Sequence, residues 1–189
     1  EGFAGLQFQD KQKTTRFLNW VTAYQQQYNH FSGIHLDVEP YTDSSWQINE
    51  QPLLDQYFAY IEQMQHASKK LGLYFEIDIP FWFNHVTYTN RFGAGIASHW
   101  LIDHSDGVTI MAYRNDASII IPLVADEFAY AQQQQKQVTI AIETAQSFED
   151  DFVSFYNASP LALYAAIDTL YDSYGTTIAL HYLPTWQAL

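Results

Sequence analysis

At 189 residues, with 48% hydrophobic and 17% aromatic side chains, the chain is long and apolar enough to bury one sizeable core, and its composition is not that of a disordered protein. The 21 acidic and 8 basic residues leave a formal charge of −13, which opposes binding to nucleic acid or anionic lipid and favours a neutral or cationic ligand. The absence of cysteine removes disulfides, thiolate metal sites and cysteine nucleophiles together, and no apolar run reaches the roughly 18 to 20 residues of a membrane span.

The opening residues, EGFAGLQFQDKQ, lack the charged-then-apolar pattern of a signal peptide, and the chain starts without methionine. It is read as part of a longer product, with GFAGLQF as the remnant of a preceding strand or loop. The segment TTRFLNWVTAYQQQYNHF then places Phe17, Leu18, Val21, Tyr24 and Tyr28 at spacings of three and four, which predicts an amphipathic helix. Next comes GIHLDVEP, an alternating strand pattern. Its apolar face carries Ile34, Leu36 and Val38, and the opposite face carries His35, Asp37 and Glu39.

After a polar loop, NEQPLLDQYFAYIEQMQHASKKLG puts Leu54, Tyr57, Ile61, Met64 and Ala67 on one helical stripe and stops at two lysines and Gly72. LYFEIDIPFWF alternates again. The chain continues with a strand in DGVTIMAYRN, a helix within LVADEFAYAQQQQKQ, a strand in VTIAIETAQ, a helix within SPLALYAAIDTLYDSYG and a strand in TTIALHYLPTW. The QQQQ run at 132–135 is read as a solvated helix face.

Five strands alternating with helices at intervals of roughly 31 to 40 residues predict βαβ units and a parallel α/β sheet in a single domain over 1–189. An open doubly wound sheet and part of a (β/α)8 barrel of the TIM type both fit. The parity of polar residues favours the barrel. Asp37, Glu39, Glu76, Asp78, Tyr113, Glu143 and His181 share one parity toward the carboxyl ends of their strands, whereas strands covered on both faces should be apolar nearly throughout. No glycine-rich phosphate turn follows any strand. A whole barrel takes about 250 residues, so the expectation is a partial barrel covering strands 4 to 8. Its open sheet edges would allow self-association.

SGIHLDVEP resembles the fourth-strand signature of family 18 glycoside hydrolases, Asp-Gly-x-Asp-x-Asp-x-Glu, and MAYRN resembles their Met-x-Tyr motif. IHLDVEPY, IDIPFW, IMAYR, IAIET and IALHY together resemble a bacterial family of glycosidase-like barrel proteins, from about residue 30 onward. The family 18 resemblance implies Glu39 as general acid, Asp37 as the group orienting a substrate acetamido group, and Tyr113 as a partner of that group. Ser32 and His35 stand where that family has its first two aspartates, so a substrate-assisted mechanism is one alternative rather than the main expectation.

Counting GIHLDVEP as strand 4 makes VTIAIETAQ strand 7, with Glu143 at its end. This resembles the large retaining clan of barrel glycosidases, which implies Glu39 as acid/base and Glu143 as nucleophile. Retention requires the two carboxyl groups roughly 5 to 5.5 Å apart, one protonated and one ionised, and a partly desolvated cluster of acids favours that division. Catalytic expectations therefore rest on Glu39, Glu143 and Asp37. Tyr41, Trp46, Phe81, Trp82, Tyr88, Tyr113, Tyr182 and Trp186 lie at or beyond strand ends, where flat rings suit the apolar faces of sugars, although about half of such aromatics are usually packing residues. The substrate-contacting set is His35, Asp78, Trp82, Tyr113, Arg114, His181 and Trp186.

His35, Asp37, Glu39, Asp78 and His181 offer mixed nitrogen and oxygen ligands. No His-x-His pair and no His-Glu-x-x-His motif accompanies them, so neither metal nor cofactor is expected. Serine-hydrolase and nucleotide motifs are lacking. The resulting expectation is a glycoside hydrolase acting on a poly- or oligosaccharide. The resemblance places it in a secreted or periplasmic setting, and a carbohydrate-binding barrel without catalysis is the rival.

Overall fold

The computed structural model describes residues 8–186; the GFAGLQF segment lies almost wholly outside them. The main elements are α1 (Lys11–Tyr28), β1 (Gly33–Leu36), α2 (Trp46–Leu71), β2 (Tyr74–Pro80), β3 (Thr87–Asn90), β4 (Gly93–Ile96), α3 (Ala97–Asp103), β5 (Gly107–Met111), α4 (Ala117–Gln133), β6 (Gln137–Glu143), α5 (Pro160–Tyr174), β7 (Ile178–His181) and α6 (Leu183–Trp186). The fold class is α/β, with a five-stranded parallel sheet in the order β1-β2-β5-β6-β7 and a separate antiparallel pair, β3-β4. Two compact units make up the chain. One runs up to Ile79 and includes Phe83–Val108; the other comprises Pro80–Trp82 and the chain from Thr109.

In the first unit, β1 and β2 run parallel with Gly33 opposite Tyr74 and His35 opposite Glu76. The predicted alternation is present in β2, where Phe75, Ile77 and Ile79 are buried while Glu76 and Asp78 are half-buried. Asp106 fixes the start of β2: its carboxylate accepts from the Phe75 N–H at 2.9 Å, and its own N–H donates to the Phe75 carbonyl at 2.7 Å. Leu54, Tyr57, Ile61 and Met64 of the predicted α2 stripe are almost fully buried, as is Phe58, whereas Ala67 at its end is half-buried and Ser68 is buried beside it. Phe58 stacks on Trp100 with ring centroids 3.9 Å apart. Pro52 is tolerated because the backbone leaves helical geometry at Asn49, so the proline sits at the start of the regular helix rather than in its middle.

Helix α1 departs from its apolar stripe. Gln25 is buried, donating from its side chain to the Phe31 carbonyl and accepting from the Phe31 N–H, while Tyr28 is exposed. The side-chain amide satisfies the turn into β1, which an apolar residue there would leave unpaired.

In the second unit, β6 and β7 pair in parallel with Glu143 opposite His181. Val138, Ile140 and Ile142 are buried, and Thr139 and Glu143 lie on the other parity. Helix α4 begins at Ala117, capped by the Asp116 carboxylate, earlier than its sequence pattern indicates because Pro122 masks the first turns. The glutamine run is solvated as expected, yet it marks the helix end: α4 stops at Gln133 and Gln135 takes a left-handed conformation. Helix α5 has a Ser159 cap, Pro160 in its first turn and Gly175 at φ +61° at its end. Phe128 of α4 stacks on Tyr174 of α5 at 4.1 Å, and the Tyr174 hydroxyl donates to the Ile121 carbonyl at 2.6 Å.

Gly33 is required by close approach. A Cβ there would lie 2.8 Å from the Tyr74 carbonyl oxygen and 3.2 Å from the Tyr74 Cβ. Gly33→Ala must therefore push β1 away from β2, with an expected loss of about 1 to 3 kcal/mol. The urea midpoint should fall with the slope unchanged, and an unaltered midpoint would contradict this packing.

Candidate active site

In the first unit, β1 ends at Leu36, so Asp37 and Glu39 stand just past the strand rather than within it. The alternation nevertheless persists through the loop, with Val38 and Pro40 buried and Asp37 and Glu39 half-buried. Pro40 ends the strand by opening a short 3₁₀ turn, Pro40–Thr42. The Thr42 N–H and hydroxyl both donate to the Glu39 carbonyl, at 3.1 and 2.7 Å, and hold that backbone in place. The Tyr41 hydroxyl donates to Glu39 Oε1. Burial foremost, then the Glu39 carboxylate, push the Tyr41 phenol far above its ordinary range, so it remains a neutral donor.

Beside this loop, His35 Nε2 lies 2.8 Å from Asp78 Oδ1 and its Nδ1 lies 3.8 Å from Glu76 Oε2. The hydrogen bond to Asp78 raises the His35 pKa. Burial opposes the rise, while the charges of Asp78, Glu76 and Asp37 add to it. Tyr57 and Tyr60 of α2 back the region. Burial pushes the Tyr60 phenol up to about 12, and burial together with Asp78, Asp37 and Glu39 pushes Tyr57 higher still. Helical periodicity identified Tyr57 as a core residue, and nothing in that pattern reveals its hydroxyl's nearness to three carboxylates.

In the second unit, Glu143 is anchored at the end of β6. Its Oε1 accepts from the N–H groups of Thr144 at 2.7 Å and Ala145 at 2.6 Å, and its Oε2 lies 2.6 Å from His181 Nδ1. The Glu143 side chain is 12% exposed and that of His181 58%. The Tyr113 ring lies 6.1 Å from that of His181, with the planes 23° apart. Thr144, which sequence reasoning missed, ties the two strand ends together. Its N–H donates to the His181 carbonyl, its hydroxyl reaches that same carbonyl at 3.0 Å, and it accepts from the Tyr182 N–H at 2.9 Å. Only the strand register reveals this clamp; a lone threonine carries no such signal.

Arg114 is held rather than extended: it donates to the Tyr113 carbonyl at 2.6 Å and lies over the rings of Phe81 at 4.8 Å and Phe152 at 5.1 Å. The predicted aromatics divide. Trp46 and Tyr88 are core residues, against Phe83 and Phe58 respectively, whereas Tyr182 and Trp186 are exposed and Phe81, Trp82 and Tyr113 are half-buried.

Among the described residues there is no group of three or more His, Asp or Glu suited to a metal ion, and no helix is long and apolar enough to cross a membrane. The chain matches no family model and no curated protein.

Because the folded-state pKa of His35 is raised, the paired imidazolium adds stability that is fully present below the ordinary value of 6.5 and is lost as pH rises through the folded value. Replacing His35 with glutamine should therefore lower the denaturation midpoint most near about pH 5.5 and progressively less at alkaline pH. A wild-type-to-variant difference that stays constant between about pH 5.5 and 9 would contradict the pairing.

Proposed function

We propose that the chain is part of a (β/α)8-barrel glycoside hydrolase, covering strands 4 to 8, that acts on a neutral poly- or oligosaccharide outside the cytoplasm. Glu39 serves as general acid/base. The observation that carries this reading is the arrangement beyond β1. Glu39 is half-buried, its backbone is fixed by Thr42, and its carboxyl bonds the neutral Tyr41 hydroxyl, with Asp37 two residues before it and the His35–Asp78 pair beside the strand. A proton donor to a glycosidic oxygen needs this combination of fixed direction and partial desolvation.

Retaining hydrolysis uses a second carboxylate, and the sequence's candidate for it is Glu143. The resemblance assigns it as nucleophile. The substrate-assisted alternative would instead use Asp37 beside Glu39. There the place of the missing aspartate is taken by His35, which the Asp78 hydrogen bond and surrounding acids keep in favour of its charged form; a cation at that point alters the field that such a mechanism uses. Glu39 bonds a phenol rather than a guanidinium, and this favours catalysis over the rival binding-only reading.

The test is reducing-end release from a panel of neutral oligosaccharides. Glu39→Gln should lower kcat by about 10² to 10⁴-fold with little change in KM, and Tyr41→Phe should cost less because it removes a supporting donor. Equal turnover by wild type and Glu39→Gln would defeat the assignment.

A further inference from the structure

Glu143 has less freedom than a nucleophile needs. Of a carboxylate's roughly four acceptor positions, three are occupied: both on Oε1, by the Ala145 N–H and by the Thr144 N–H that it shares with the His181 carbonyl, and one on Oε2, by His181. A group held by three short charge-assisted bonds is well oriented, but it loses part of that stabilisation if it attacks carbon. The same bonds determine the state of the histidine. An ionised carboxylate can only accept, so Nδ1 of His181 donates and carries the proton. In the neutral ring the lone pair is then on Nε2. Nε2 has no hydrogen-bond partner among the described residues, on a side chain that is 58% exposed.

The backbone of His181 is held as well, and its ring has an aromatic neighbour. Thr144 holds the His181 carbonyl, and the Tyr113 ring lies nearly parallel to the imidazole. A half-buried carboxylate, an Nδ1–H bonded to it and an outward Nε2 form the base-and-orienter arrangement of general-base catalysis.

We propose that His181 Nε2 is the proton-accepting atom of this unit and that Glu143 is its positioning residue rather than the nucleophile. The proposal deepens the glycosidase reading and rests on it for its substrate. In the step it implies, Nε2 takes a proton from water as the water oxygen bonds to the anomeric carbon. The glycosidic C–O bond breaks, the leaving oxygen takes a proton from a general acid, and solvent takes the imidazolium's proton and returns one to that acid. One displacement inverts the anomeric configuration; attack by Glu143 followed by hydrolysis would retain it.

Long-range proton–nitrogen correlation spectra of the ¹⁵N-labelled 189-residue chain test the first half without any substrate. At alkaline pH the account predicts the Nδ1–H tautomer for His181, with Nε2 resonating as an unprotonated nitrogen, and a loss of that preference in Glu143→Ala. An Nε2–H tautomer in the wild type would overturn the proposal. The second half uses the neutral oligosaccharide panel, with proton NMR of the first product formed. Inverted product is expected, together with a loss of about 10² to 10⁴-fold in His181→Ala that added imidazole partly restores. Retention, or a glycosyl group trapped on Glu143 by a 2-deoxy-2-fluoro glycoside, would overturn the proposal and leave the glycosidase reading standing. Hydrolysis of no panel member would defeat the glycosidase reading, and the tautomer would then decide the fate of the dyad by itself.

Discussion

The arrangement at the strand ends is governed by one requirement: partly buried carboxylates must be given hydrogen-bond donors in a chain that has 8 cationic side chains for its 21 acids. The donors are supplied by imidazoles, phenols and backbone N–H groups. Asp78 takes the His35 imidazole, Glu39 takes the Tyr41 hydroxyl, and Glu143 takes His181 and two peptide N–H groups. Each of these donors lies at the end of an apolar strand or in the turn that follows it, so the alternation that buries Ile77 or Ile142 on one side presents Asp78 or Glu143 on the other.

This choice of donor has chemical consequences. A lysine or arginine partner would neutralise the acids permanently, whereas a histidine or a phenol leaves a group that can still move a proton. The two histidines serve different ends. His35 has acids at both ring nitrogens, a setting that favours the charged ring and suits an electrostatic role. His181 has its acid on Nδ1 and presents Nε2 outward, a setting that suits proton exchange. Arg114, packed against Phe81 and Phe152, spends its charge on ring faces and on a backbone carbonyl.

Much of this was legible from alternation. Period-two patterns located all five strands of the parallel sheet and the parity of their acids, and period-three-and-four patterns located α1 and α2. What escaped was of three kinds. The hairpin β3-β4 and helix α3 lay unrecognised within the long interval between β2 and β5, because four-residue strands such as Gly93–Ile96, with two glycines and mostly exposed residues, carry almost no apolar signal. The ends of elements shifted where proline intervenes: Pro40 stops β1 before its acids, and Pro122 hides the start of α4. Polar groups that serve tertiary contacts gave no periodic sign, as with buried Gln25 and the Thr144 clamp. The polar residues at the strand ends were visible in the sequence, while their pairing depends on register between strands.

The central claim, proposed above, is that the chain binds a neutral sugar through groups at its strand ends. Isothermal titration of the chain against matched neutral, amino-sugar and uronic-acid oligosaccharides, at low and high salt, tests it most directly. The account predicts binding of neutral chains that changes little with salt and weakens in Tyr113→Phe and Trp186→Ala, because stacking and hydroxyl contacts do not depend on the net charge. Preferential, salt-sensitive binding of the uronic acids would contradict it and would point instead to basic residues such as Arg91 or Arg114.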